Sequence, residues 1–176
     1  DMNNGITGIL WNGTPLTLVS SDTNTAQAGQ LWKLNNPSNG TGTVTALGAL
    51  GNQSAIAISY KGADTTFDSS ATGNLTGSPL TVSTTVTETG CWLVGFCSAF
   101  GAQFNLNTSN KADRASIFIP NTSGQAAILV CDSNGIVSTG SQSIIFSNGG
   151  ASPFLGGIVL SLNPQLGLSP SSSYSP

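Results

Sequence analysis

The sequence predicts an all-β protein, an antiparallel two-sheet sandwich of jelly-roll type, with an open barrel as the alternative. Three observations carry that expectation. Runs of Thr, Val, Ile and aromatic residues recur at short intervals between clusters of Gly, Asn, Pro and Ser, the pattern that strands and turns leave in a sequence. Helical periodicity is nearly absent, so nothing is available to make the crossovers of a parallel α/β sheet. Asn12-Gly13 and Asn134-Gly135 supply the positive φ of tight hairpins, and hairpins join antiparallel neighbours.

Taken in order, the expected strands begin with Gly5 to Leu10, which Asn12-Gly13 turns into Thr14 to Ser20. Gln30 to Leu34, Gly42 to Leu47 and Ser54 to Tyr60 follow, each closed by Gly, Asn, Pro or Ser. After the polar stretch that follows Tyr60, Leu80 to Thr85 and Cys91 to Phe100 resume the pattern. The last four are Arg114 to Ile119, Ala126 to Cys131, Gln142 to Phe146 and Gly157 to Leu162. Within CWLVGFC, alternation puts Cys91, Leu93, Gly95 and Cys97 on one face and Trp92, Val94 and Phe96 on the other. Both faces are apolar, so this strand is expected to be covered on both sides.

The chain has 176 residues, enough for one domain that buries about two thirds of the surface its unfolded chain exposes. That domain is expected over residues 1–164. Residues 165–176, QLGLSPSSSYSP, have the Pro/Ser-rich composition of a tail or inter-subunit connector, although Leu166 and Leu168 alternate as in a short extended contact. Only 6% of residues are charged, against about 25% in ordinary globular domains, so Ser, Thr and Asn must keep the surface wet. The four basic residues are Lys33, Lys61, Lys111 and Arg114, and the net charge is −3. A nucleic-acid groove needs clustered Lys and Arg, and no nucleic-acid partner is expected. No run approaches the ~18 apolar residues of a membrane span, so no membrane insertion is expected either. A start at Asp1 fits a processed secreted chain or a truncated record.

The chemistry-bearing residues are few. There is no His, which excludes His-dependent nucleophilic systems and His-containing metal sites. Glu88 is the only glutamate, leaving Asp64 and Asp68 as the nearest carboxylate pair. No catalytic residue and no enzymatic activity are expected. Hard oxygen ligands make calcium the one candidate cofactor, at Asp64 and Asp68 or at Asp132 with Asn134; the competing reading of Asp132-Ser133-Asn134-Gly135 is an Asp-initiated turn. Cys91 and Cys97 lie six residues apart, about 20 Å along a strand. A disulfide would therefore pair Cys131 with Cys91 or Cys97, the other reading being three buried thiols. N-x-S/T triplets mark glycosylation candidates at Asn12, Asn39, Asn52, Asn74, Asn107 and Asn121, where about four would arise by chance at this composition.

The segments GITGILWNGTPLTLV, GQLWKLNNPSNGTGTVTAL, AIAISYKGADTTFDSSA, CWLVGF and GGIVLSLNP resemble a widespread β-sandwich domain of bacterial surface and phage-associated proteins. The resemblance rests on Trp11, Asn12, Gly13, Leu16 and Thr17 in the first hairpin. It rests further on Leu31, Trp32, Leu34, Asn36 and Pro37, and on Ser59, Tyr60, Gly62 and Asp64. It implies an apolar strand upstream of the first one here, and hence an edge beside that strand for a neighbouring subunit to fill. The expected function is thus a structural subunit of an extracellular or cell-surface filament, pilus-like, self-associating by strand complementation and carrying glycans. The alternatives are a virion fibre, decoration or tail protein, and a carbohydrate-binding module using Trp11, Trp32 or Trp92.

Overall fold

The computed structural model describes residues 6–22, 29–48, 54–101, 106–108, 110–119, 126–149 and 154–165, with the backbone of 171–174. Among them there is no helix. The chain forms β1 (Gly8–Trp11), β2 (Thr14–Pro15), β3 (Thr17–Asp22), β4 (Gly29–Lys33), β5 (Val44–Leu47), β6 (Ile58–Lys61), β7 (Ala63–Thr76) and β8 (Leu80–Val86). Then come β9 (Trp92–Phe100), β10 (Asn107–Thr108), β11 (Ala112–Ile119), β12 (Ala126–Asp132), β13 (Gly140–Ser147), β14 (Phe154–Pro164) and β15 (Ser171–Tyr174).

The largest sheet has the order β11-β12-β9-β14-β7, and a smaller one has the order β10-β13-β8. Every recorded pairing in both is antiparallel. One apolar cluster joins the two sheets: Leu93 and Cys97 of β9, Leu129 and Val159 from its neighbours, and Val82, Ile144 and Phe146 from the smaller sheet. Full burial of each large member contributes about 1.5–3 kcal/mol. A second cluster covers the opposite face, where Val94, Leu160 and Leu162 meet Val19 of β3, Leu31 of β4, Tyr60 of β6 and Phe67 of β7. β9 is therefore central and apolar on both faces, as its two-sided pattern predicts.

Glycines let these layers approach. A methyl at Gly95 would stand 2.6 Å from Ile144 Cδ1 and 2.8 Å from Cys131 Sγ, and one at Gly157 would stand 3.0 Å from both Phe146 and Val82. On the other face, Gly156 lies against the Asp22 carboxylate and Gly29 against the Phe96 ring.

Four expectations change. First, β1 is the middle strand of a small sheet, β2-β1-β5, so the edge expected to be vacant beside it is filled by Val44 to Leu47 of the same chain. The Asn12-Gly13 hairpin does form, with φ of 47° and 81° and Trp11 opposite Thr14. Second, Asn134-Gly135 is not a hairpin between neighbours: β12 and β13 belong to different sheets, and the turn carries the chain from one to the other. Third, the polar stretch 63–76 is the longest strand, β7. Fourth, the Pro/Ser-rich segment contributes β15, which pairs antiparallel with β6.

Candidate functional site

β6 reads ISYK, with Ile58 and Tyr60 half-buried and Ser59 and Lys61 exposed. This alternation turns Tyr60 inward, onto the second apolar cluster. Among the described residues its sheet contains one other strand, β15, with Ser171 opposite Lys61 and Tyr174 opposite Ile58. Gly62, at φ 78°, joins β6 to β7. Alongside, Pro164 of β14 stands opposite Ala63, and the Gln165 amide donates to the Gly62 carbonyl at 2.7 Å. β14 and β15 thus pair with β7 and β6 in turn.

A buried polar network fixes this edge to the body. Pairing skips from Asp113 to Ala115 along β11, which makes Arg114 a bulge residue with its side chain re-aimed. Its guanidinium donates from Nε to Asp132 Oδ2 at 2.8 Å and from Nη2 to Asp132 Oδ1 at 2.7 Å. Nη2 also donates to Asn134 Oδ1 at 2.7 Å, and the Asn134 amide donates to Asp132 Oδ1 at 2.8 Å. Tyr60 completes the set by donating its hydroxyl to Asp132 Oδ2 at 3.2 Å. Asp132 is fully buried. Two charged hydrogen bonds, a backbone amide and a phenol are what allow a carboxylate to remain there. Burial, then the neighbouring Asp132 charge, pushes the Tyr60 hydroxyl far above the ordinary tyrosine value. The hydrogen bond to Asp132 raises Arg114 further.

The candidate calcium residues have other duties. Asp64 Oδ1 accepts from the Thr66 amide at 2.9 Å, the Thr66 hydroxyl at 3.0 Å and the Thr65 hydroxyl at 3.3 Å; the Thr66 amide is the largest influence holding it below the usual carboxylate range. Asp68 occupies a bulge between Phe67 and Ser69 and accepts from the Thr87 amide at 2.7 Å and from the Thr87 hydroxyl. Desolvation, the largest single influence on Asp68, raises it, but the Thr87 hydroxyl and the Thr87 and Glu88 amides together bring it below its ordinary value. No group of three or more Cys, Asp or Glu that could hold a metal occurs among the described residues. At Asp132 and Asn134, the alternative cation position is taken by the Arg114 guanidinium. Sequence reasoning missed Arg114, whose only local signal was a lone cation at the start of a strand.

Cys91, Cys97 and Cys131 are free, buried thiols, so the bridge from Cys131 to Cys91 or Cys97 is not formed. Burial raises Cys97 and Cys131 well above the ordinary thiol value. Asn12, Asn39, Asn74 and Asn107 are all exposed, while Asn52 and Asn121 lie outside the described residues. Asn12 has a structural task, since its Oδ1 accepts the Thr43 amide at 2.8 Å. Trp11, Trp32 and Trp92 are half-buried. Trp32 Nε1 donates to Gln30 Oε1 at 3.1 Å, and Gly42 packs on the Trp11 ring. No family model, curated protein or solved structure matches the chain.

Proposed function

We propose that the chain is a non-enzymatic structural subunit of an extracellular filament, its body a sandwich of jelly-roll type. Copies are joined when β15 of one subunit pairs with β6 of the next. One observation carries this reading: among the described residues β6 has a single strand neighbour, and that neighbour comes from the Ser-rich segment 171–174. The same backbone hydrogen bonds form whether β15 returns to its own β6 or reaches another copy. Exchange therefore changes little but linker geometry and concentration dependence. The exchange is head-to-tail and continues without closing. Exposed Asn39, Asn74 and Asn107 lie where glycans would leave the core undisturbed.

The test is negative-stain electron microscopy of the full chain across a concentration series, beside a variant lacking residues 171–176. Filaments from the full chain and none from the variant support the exchange. Monomers at every concentration overturn it, and closed trimers favour the virion-component reading.

A further inference from the structure

Among the described residues, β5 has an outer edge that no strand pairs. In the sheet β2-β1-β5, the β2 edge carries Pro15, which has no N–H to offer. The β5 edge carries neither proline nor charge, two of the devices by which natural edge strands avoid pairing. All four of its residues are exposed, with Val44 at 43% and Leu47 at 41%. None of Ile9, Leu10, Trp11, Val44 or Leu47 belongs to either apolar cluster of the body. Asn12 N donates to the Thr43 carbonyl at 3.0 Å and Thr7 N to the Leu47 carbonyl at 2.9 Å. Alternation then turns the N–H and C=O of Thr43, Thr45 and Leu47 toward β1 and leaves those of Val44 and Ala46 facing outward.

We propose that this edge pairs with itself, β5 against β5 of a second copy, antiparallel about a two-fold axis through Thr45. In that register, Val44 of each copy exchanges both backbone hydrogen bonds with Ala46 of the other, and Thr45 faces Thr45 in a non-hydrogen-bonded pair. Shifting the axis to Ala46 would pair Val44 with Gly48, whose φ of 71° takes it out of the strand. Val44 and Ala46 lie on the face of Trp11 and Ile9, their partners in β1. The contact therefore continues a row of Trp11, Val44, Ala46 and Ile9 across both copies. A second copy is the occupant the chemistry favours, because the sequence from Leu34 to Tyr60 contains no charged residue; self-pairing sets no like charges together, and nothing on the edge selects a charged partner. This contact is isologous and closes on itself, so it links subunits side by side and does not depend on the exchange of β15.

The experiment is cysteine cross-linking of the full chain. In the non-hydrogen-bonded pair, Cα atoms lie about 4.5 Å apart, within the range for a disulfide. Under mild oxidation Thr45→Cys is expected to give a covalent dimer on non-reducing gels, while Ala46→Cys, off the axis, gives little. The native thiols are buried and supply the background measured without substitution. Thr45→Lys, which sets two ammonium groups opposite each other, is expected to weaken two-fold association at least about tenfold. Cross-linking of Thr45→Cys no faster than of an exposed Thr65→Cys control overturns the proposal, whatever becomes of the filaments.

Discussion

At the scale of single residues, Asp132 determines most of what is unusual about this chain. A fully buried carboxylate persists because Arg114, Asn134 and Tyr60 reach it from three segments. Removing one charged partner from such a pair costs about 3–5 kcal/mol, which is why the bulge that aims Arg114 matters more than the strand around it. Tyr60 gives this network a pH signature. Burial and the Asp132 charge raise its pKa in the folded state, so the folded chain holds the phenolic proton more tightly than the unfolded chain. Stability from this source is complete below the ordinary tyrosine value, about 10, and declines as the pH rises above it. Urea unfolding from pH 8 to 11 should therefore show an alkaline loss in the wild type. In Tyr60→Phe, which forfeits a hydrogen bond to a charged group worth about 1.5–3 kcal/mol, that loss should be smaller and the stability lower at pH 8. An equal alkaline slope in both proteins would remove Tyr60 as its source.

At the scale of elements, the sequence revealed strands whose apolar residues alternate or run together and concealed those that are polar. β8 alternates buried and exposed along its whole length, and β9 carries apolar residues on both faces, so each was visible locally. β7 has Asp, Thr, Ser and Asn at most positions and is held by its ladder to β14, a long-range pairing with no local pattern. β15 was hidden for the same reason, and so was the pairing of β1 with β5, although β5 itself falls within the expected strand Gly42 to Leu47. The Arg114 site required the bulge in β11, which depends on register. What was legible in CWLVGFC extends to its glycine. Gly95 faces the joint between the two sheets, where a methyl would stand 2.6 Å from Ile144 Cδ1 and 3.0 Å from Phe146 Cζ. Those side chains are fully buried and have little room to retreat. Gly95→Ala should thus destabilise the fold by about 1–3 kcal/mol through overpacking, read as a lower urea midpoint. Ile144→Val in the same chain should recover part of that loss, since the two positions share one space. Simple additivity of the two changes would locate the strain elsewhere.

At the scale of the whole molecule, a surface with so few charges would, in the proposed assembly, associate by means other than charge. The β6–β15 pair carries one charged residue, Lys61, and the β5 edge carries none. Both proposed contacts depend on backbone hydrogen bonds and small neutral side chains. Strand pairing of this kind is indifferent to ionic screening, whereas contacts steered by ion pairs weaken as salt rises. The single salt bridge found among the described residues, Arg114 with Asp132, is half-interior and serves the fold, so it offers no electrostatic handle to a neighbour. Light scattering of preassembled full-length chain should therefore give the same polymer mass from about 0.05 M to about 1 M sodium chloride, over which the Debye length falls to about 3 Å. Sodium sulfate, which strengthens apolar burial, should lengthen the polymers. Dissolution by sodium chloride alone would mean that Lys61 or the scattered aspartates join the subunits, and that neutral strand pairing at β6 and β5 is not what builds the assembly.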